Sequence, residues 1–447
     1  MRFENSPAIP QTALGLDGRR RYEDWLPAYR PAALVSADWM IAVGLGIAAA
    51  CLVLWNHAAI DAEVYRTFNI FFQADPPRVI SNLTERWSHF QNRNVAHPLF
   101  SIIGLSVVKA AGVIGLAPLK AIAALLAGLA AISAGSFYLA MRGLGMMFAP
   151  SLGFTAAYVS GAAFIHWYAF PETYAASGAT IAVMIAILTC APATSLWIWA
   201  LGSMGTLSML LTNWSMGLAA SIARLKWRHF LIATLAAFGI VAALSFVQHK
   251  ALHNARFFLD PVGLSKEGTY AGPRMRELGM RWDPVLSLRN GIVTPAIVPA
   301  PEIVTEPTEA GPYTIVTNQF VSATKFGVAG GVALVAWFVL LAIGVWAAIT
   351  VPRLRRVGLP LLAYAVFQIG FHTVYGEIVF LYAADILPAM MALAALGWFT
   401  PARKIVMASL LIFIGTASIT NETRFLDAAA KAHDIAVAKN LGRAFGR

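Results

Sequence analysis

The sequence predicts an all-α protein built into a membrane. Three observations carry the prediction. Only 12% of the 447 residues are charged, against 58% hydrophobic, with a mean hydropathy of +0.66. A soluble domain carries about 25% charged residues, so lipid must solvate much of this surface. The apolar residues also fall in continuous runs close to the length of about 20 residues that a helix needs to cross a bilayer. Those runs do not alternate apolar with polar, which excludes a membrane β-barrel.

Taken in order, the runs predict about eleven transmembrane helices, over 38–56, 98–114, 118–141, 147–168, 172–190, 195–222, 229–249, 327–350, 358–375, 378–398 and 402–419. Residues 1–37 form a polar N-terminal segment with Arg19-Arg20-Arg21 and no apolar h-region, so the first run is expected to be a signal anchor and the segment cytoplasmic. Residues 38–420 are the helical domain, and 421–447 form a C-terminal tail. The run 195–222 reads either as one span or as two short helices broken at Thr212-Asn213-Trp214. A matching break near Gly115 and Pro118 would move Glu172 from the inner to the outer surface.

The net charge of +11 sits mostly in short connections: Arg224, Lys226 and Arg228; Arg353, Arg355 and Arg356; Arg403 and Lys404. The positive-inside bias accounts for such clusters, places them in the cytoplasm and removes the case for nucleic acid as a partner. Counting from there leaves 57–96, the long segment 250–326 and the tail outside. Cys51 and Cys190 both lie in apolar runs, so no disulfide framework or metal-ligand spacing is present.

Both outer loops are expected to be ordered. In 62–73, Val64, Phe68, Phe71 and Phe72 recur at helical spacing, which predicts an amphipathic helix lying in the interface. Pro76-Pro77 breaks the chain, and 78–92 reads as a second short interfacial helix anchored by Trp87 and Phe90. The segment 250–326 is rich in Pro and Gly, holds Arg274, Arg276, Arg281 and Trp282, and is expected to form a cap or lid.

The candidate chemistry begins in the first outer loop. Asp61 and Glu63 are carboxylates for base work or for a divalent cation, and Arg66 and Arg93 offer guanidinium forks suited to phosphate. His97-Pro98 opens the next run, where a histidine at a helix N-terminus can donate to an anion. Plainer readings stand beside these: a solvated interfacial acid for Asp61, and a helix-start residue for His97. Further polar groups lie in or beside apolar runs, namely Glu172, Asn213, Gln368, His372, Glu377, Tyr382 and Asp385. Ionisable groups at membrane depth are expensive and so are functional candidates, with interhelical hydrogen bonding as the alternative.

Asp61-x-Glu63 after the first span, His97-Pro98-Leu99 opening the second and the large outer loop together resemble the GT-C polytopic glycosyltransferases, such as protein O-mannosyltransferases and lipid-A aminoarabinose transferases. Pro171-Glu172-Thr173-Tyr174 and Glu377 through Pro388 resemble stretches of such proteins more loosely. The resemblance implies transfer of a sugar from a polyprenyl-phosphate carrier to a glycan, lipid or protein acceptor. The site would face the non-cytoplasmic side, in a bacterial inner membrane. Asp61 would act as general base with inversion, Glu63 would orient the acceptor or a cation, and Arg66, Arg93 and His97 would meet the phosphate. The competing classes are a transporter or flippase using the buried polar residues, and another lipid-linked enzyme of envelope assembly.

Overall fold

The computed structural model of the protein describes residues 29, 31–277, 282–306, 313–319, 321–376 and 379–444. The arginine triplet of the N-terminal segment, Arg281 and Glu377 lie outside the described residues. The described residues are mostly helical. Among the described residues, seven helical stretches are long and apolar enough to cross a membrane.

The first of these is α1 (Ser36–Ala58). Three pieces of the outer loop follow: α2 (Ala62–Tyr65), α3 (Pro76–Thr84) and a 3-10 turn at Gln91–Val95. Then come α4 (Phe100–Val113), α5 (Pro118–Gly143), α6 (Phe148–Val159), α7 (Ala162–Trp167), α8 (Tyr174–Cys190), α9 (Leu196–Met209), α10 (Trp214–Arg224) and α11 (Trp227–Ala251). The cap holds α12 (Pro261–Glu267), α13 (Gly272–Glu277), α14 (Pro284–Val293) and an antiparallel hairpin of β1 (Glu302–Glu306) and β2 (Tyr313–Thr317). The chain closes with α15 (Gly327–Thr350), α16 (Arg355–Val374), α17 (Ala383–Leu396) and α18 (Arg403–Ala444). The long apolar set is α1, α5, α11, α15, α16, α17 with its flanking turns (Val379–Phe399), and α18.

Two ends of the bundle can be told apart by their contacts. At one end, Arg142 pairs with Asp38 at 2.7 Å, Arg224 donates to the Ala191 carbonyl at 3.0 Å, and Arg356 donates to the Ala223 carbonyl at 3.2 Å. This basic end gathers the charge clusters at 224–228 and 351–356. The first outer loop, the cap and the end of α18 meet at the other end. There Phe71 bridges Val316, the His253 amide bonds the Arg86 carbonyl at 3.2 Å, and Lys431 bonds the Pro301 carbonyl at 2.8 Å.

Small residues let α1 and α5 run antiparallel in close contact. A Cβ at Gly46 would come within 2.9 Å of the Ala131 carbonyl oxygen, so the backbones approach as only glycine permits. This packing places the start of α5 at the outer end. That corrects the reading of 98–114 as a span. α4 begins at the outer end, where Gln248 near the end of α11 donates to the Pro98 carbonyl at 2.7 Å, and it ends beside the start of α5. Its 14 residues rise about 21 Å, less than the hydrocarbon thickness of about 30 Å, and both of its ends lie on one side.

The run 195–222 resolves into the hairpin of α9 and α10, joined by the Trp214 indole donating to the Ser203 hydroxyl at 3.0 Å. The tip at Leu210–Asn213 lies about 21 Å from the basic end by the rise of α9, so it is sunk below the outer surface. The break between α6 and α7 is answered by Asn421 of α18, whose amide donates to the carbonyls of Ser160 and Ala296, both at 2.8 Å. Backbone freed at membrane depth needs such a partner.

The interfacial helix expected over 62–73 does not form. Only 62–65 is helical, and Asn69, Phe72 and Gln73 take positive φ of 62°, 50° and 60°. Phe71 and Phe72 are 0% and 1% exposed, packed among Trp167, Phe170 and Phe380 rather than lipid. Left-handed backbone costs a bulky residue about 1–2 kcal/mol, and burial of two aromatic rings offsets it. The second interfacial helix is shorter than expected and ends at Thr84, with Trp87 68% exposed beyond it.

Candidate functional site

The chemistry gathers where the first outer loop, the turn between α7 and α8, the start of α4, the end of α16 and the cap meet. Its centre is Glu172. The turn after α7 aims this side chain inward, and it is 3% exposed. One oxygen accepts the Asp75 amide at 2.7 Å and the other accepts the Thr173 amide at 3.0 Å. Arg78 stands 3.6 Å away and also donates to Asp75 at 3.2 Å. Asp75 enters α3 just before Pro76-Pro77, whose fixed φ suits a helix's first turn, and this sets Arg78 one turn onward. Burial raises the Glu172 carboxyl above its ordinary range, Arg78 and the two amides oppose that rise, and Asp75 adds to it.

His97 is the second group, 5% exposed. Its Nδ1 lies 2.7 Å from the Met209 carbonyl at the tip of the α9–α10 hairpin. A carbonyl only accepts, so Nδ1 carries the proton and Nε2 accepts from the Thr173 hydroxyl 3.4 Å away. Burial lowers the imidazole to about 3, the Met209 carbonyl opposes this, and the nearby Arg93 and Arg78 add to it. His97 is therefore neutral at physiological pH, and both ring nitrogens are engaged within the protein. It ties the first loop to the hairpin and the α8 turn, with no N–H directed at a phosphate.

Arg93 sits in the 3-10 turn before His97. It faces Glu267 of α12 at 3.5 Å, donates to the Tyr270 hydroxyl at 3.2 Å and lies 5.3 Å over that ring. The Tyr375 hydroxyl donates to the other Glu267 oxygen at 2.7 Å. Aromatic rings close the wall: His372 stacks on Tyr382 at 3.9 Å, Tyr382 meets Tyr174 at 5.4 Å, and Tyr174 meets His97 at 6.2 Å. Of the candidates nominated by sequence, the structure thus brings Arg93, His97, Glu172, His372 and Tyr382 into one basin at the outer end.

Asn213 lies beneath the floor. Its side-chain oxygen accepts from Tyr364 at 2.8 Å and from Gln368 at 2.6 Å, and Asp385 is packed nearby with no exposure. Asn213, Tyr364 and Gln368 bond one another between helices, whereas both carboxylate oxygens of Asp385 are buried without a hydrogen-bond partner.

Asp61, Glu63 and Arg66 lie on a different flank. Asp61 caps α2 through the Glu63 amide at 2.8 Å and faces His433 of α18 at 3.6 Å. Glu63 pairs with Arg66 at 2.7 Å and accepts from Asn440 of α18 at 2.6 Å. Between the two regions runs a series of ring contacts: Tyr65 to Phe170 at 5.8 Å, Phe170 to Trp167 at 6.5 Å, and Trp167 to Tyr174 at 6.1 Å. Among the described residues, no three His, Cys, Asp or Glu side chains are grouped to hold a metal ion.

Sequence reasoning missed Asp75, Arg78, Glu267 and Tyr270. Asp75-Pro-Pro-Arg78 carried a usable signal, an acid before a proline-started helix with a base one turn later. Glu267 and Tyr270 carried none, because their partners lie far along the chain.

Fold and site together define a multi-pass helical membrane protein with a buried ionic basin at one end. The chain matches no family model, no curated protein and no solved structure.

Proposed function

We propose that the chain is a membrane-embedded glycosyltransferase that moves a sugar from a polyprenyl-phosphate carrier to an acceptor on the face opposite the basic clusters. The observation that carries this reading is the basin itself. A part-exposed carboxylate, Asp75, is fixed by a buried one, Glu172, in a site that also holds Arg78 and Arg93, at the outer end of an apolar bundle and under a cap. Counting α6 and α7 as one broken pass, α8 as another and the α9–α10 hairpin as re-entrant gives nine passes with the seven long apolar helices, an odd number. On this count the end of α18 shares the outer face with the basin.

The reaction is an inverting displacement at the anomeric carbon. The acceptor oxygen forms the new bond, its proton goes to a carboxylate, and the carrier phosphate leaves with the bonding pair. Asp75 is the base favoured by geometry. Its side chain is part-exposed beside Arg78, while Glu172 has both oxygens engaged by amides. Glu172 and His97 are positioning residues. Arg93 is the cation for the departing phosphate, where a charge-assisted contact counts most. Asp61 is the alternative base, in keeping with the sequence resemblance.

The test is turnover by the purified protein with a panel of polyprenyl-phosphate sugars, read as release of polyprenyl phosphate and loss on Asp75→Asn. Failure to bind or turn over any lipid phosphate would remove this reading in favour of a transporter or another envelope function.

A further inference from the structure

Arg93, Tyr270 and Tyr375 make an anion cradle, and its occupant is part of the protein. Glu267, the last residue of α12, puts one carboxylate oxygen 2.7 Å from the Tyr375 hydroxyl and the other 3.5 Å from Arg93 Nε. The second contact is an ion pair too long to be a hydrogen bond. Arg93 Nε is buried without a hydrogen-bond partner, so the carboxylate leaves a donor of the cradle unfilled. The phosphodiester of a sugar-loaded carrier offers two free oxygens and one charge, as a carboxylate does, and the monoester of the spent carrier offers three; the planar guanidinium fork can take either in place of Glu267. The cradle adjoins the basin wall, with the Tyr375 ring 6.4 Å from those of both Tyr382 and His372.

What Glu267 holds down is limited. Past it, the Tyr270 carbonyl accepts from the Gly376 amide at 3.0 Å, Ala271 pairs with Tyr375, and the Trp282 indole donates to the Thr373 carbonyl at 2.9 Å. Those bonds tie the rest of the cap to the end of α16 without using Glu267. α12 itself is largely exposed, with Val262 56% accessible, and it rests on Val95 through Gly263.

We propose that this cradle is the phosphate site of the lipid carrier, that Glu267 occupies it in place of the ligand, and that an arriving lipid phosphate displaces Glu267 and lifts α12 about the Tyr270–Gly376 bond. The identity of the ligand rests on the transferase reading; the displacement is independent of it. The internal carboxylate acts as a competitor, so binding and cap opening are coupled, and each shifts the other by the same factor.

The experiment uses the full chain in detergent, with Cys51 and Cys190 replaced by Ala. Glu267→Gln keeps the shape and the Tyr375 contact but removes the charge. It is expected to bind a polyprenyl phosphate on the order of five- to tenfold more tightly than the parent, the lower range of ordinary coupling. A Val95→Cys reporter beneath α12 is expected to react faster with a soluble maleimide once polyprenyl phosphate is added, and fast from the start when combined with Glu267→Gln. If Glu267→Gln folds poorly, Glu267→Asp retracts the charge by one methylene and should give an intermediate gain. Unchanged affinity together with reporter labelling indifferent to polyprenyl phosphate overturns the proposal. Acceleration by inorganic phosphate to the same extent, or by the uncharged polyprenol, overturns the lipid-phosphate assignment. A cap response without sugar transfer would count against the transferase reading alone, and transfer with no cap response against the displacement alone.

Discussion

The first outer loop carries two acid–arginine pairs of the same spacing with different environments. Glu63 and Arg66 stand three residues apart, as do Asp75 and Arg78. The Arg66 side chain is 72% exposed and the Arg78 side chain 13%. Behind Glu63 stands Asn440, a neutral donor on the outer part of α18. Behind Asp75 stands Glu172, a second carboxylate with almost no access to water. A pair in water contributes little, whereas a buried cluster of two acids and one arginine is held by specific bonds and changes the chemistry of its members. The lesson is that spacing made both pairs, and depth gave them different surroundings.

The largest effect should come from the buried acid. Glu172→Leu strips the acceptor from two buried amides and one of the two anions beside Arg78. A destabilisation of about 3–5 kcal/mol is expected, against less than about 1 kcal/mol for Glu63→Leu. Melting of the two variants in the same detergent measures the difference. Equal losses would mean that burial does not separate the pairs.

Next comes the base. Asp75→Asn should lower sugar transfer by about a hundredfold or more with little change in melting, while Asp61→Asn stays within about threefold of the parent. The opposite ranking would hand the base to Asp61 and reduce the basin to a structural or donor-binding role.

The pH response sharpens the contrast further. His97 falls from an ordinary 6.5 to about 3 in the folded protein, so it stays neutral there and would gain a proton on unfolding. Its contribution to stability is full above 6.5 and is lost as the pH falls from there toward 3. Glu172 acts with the opposite sign: its folded value is raised, so its contribution is full below the ordinary 4.5 and is lost as the pH rises through the folded value. The melting temperature should therefore drop between pH 7 and pH 4 more steeply in the parent than in His97→Gln. Parallel curves would show that His97 is not held neutral by the fold.

The smallest effect belongs to the outer arginine. Arg66→Lys should leave donor KM unchanged, while Arg93→Lys raises it because the planar fork is lost. A shift for Arg66→Lys equal to that for Arg93→Lys would place the carrier phosphate on the outer flank.

Much of the bundle is legible in the sequence, because a bilayer demands long apolar helices and leaves that demand in the composition. The break at Thr212-Asn213-Trp214 is legible only as one of two readings, because the same apolar run serves equally as a single span. The orientation of α4 is not legible. An apolar run reports contact with lipid, and a helix lying along the boundary meets lipid much as one crossing it does. The spacing of Phe68, Phe71 and Phe72 misled for a related reason: an apolar face says that a ring is buried, without saying whether lipid or protein buries it.

The site divides along the same line. Sequence alone determined that Glu172, His372 and Tyr382 were out of place in apolar surroundings, because each is polar where burial is costly, while His97 read as a helix-start residue able to meet an anion. It also determined that the first outer loop was the place to look. Only the tertiary structure decided that Asp75 and Arg78, rather than Asp61 and Arg66, join Glu172, and that Glu267 and Tyr375 reach across 108 residues to form one contact beside Arg93. The physical reason is that a local pattern fixes the spacing of charges along a helix, while their distance from water is set by which distant segments pack over them.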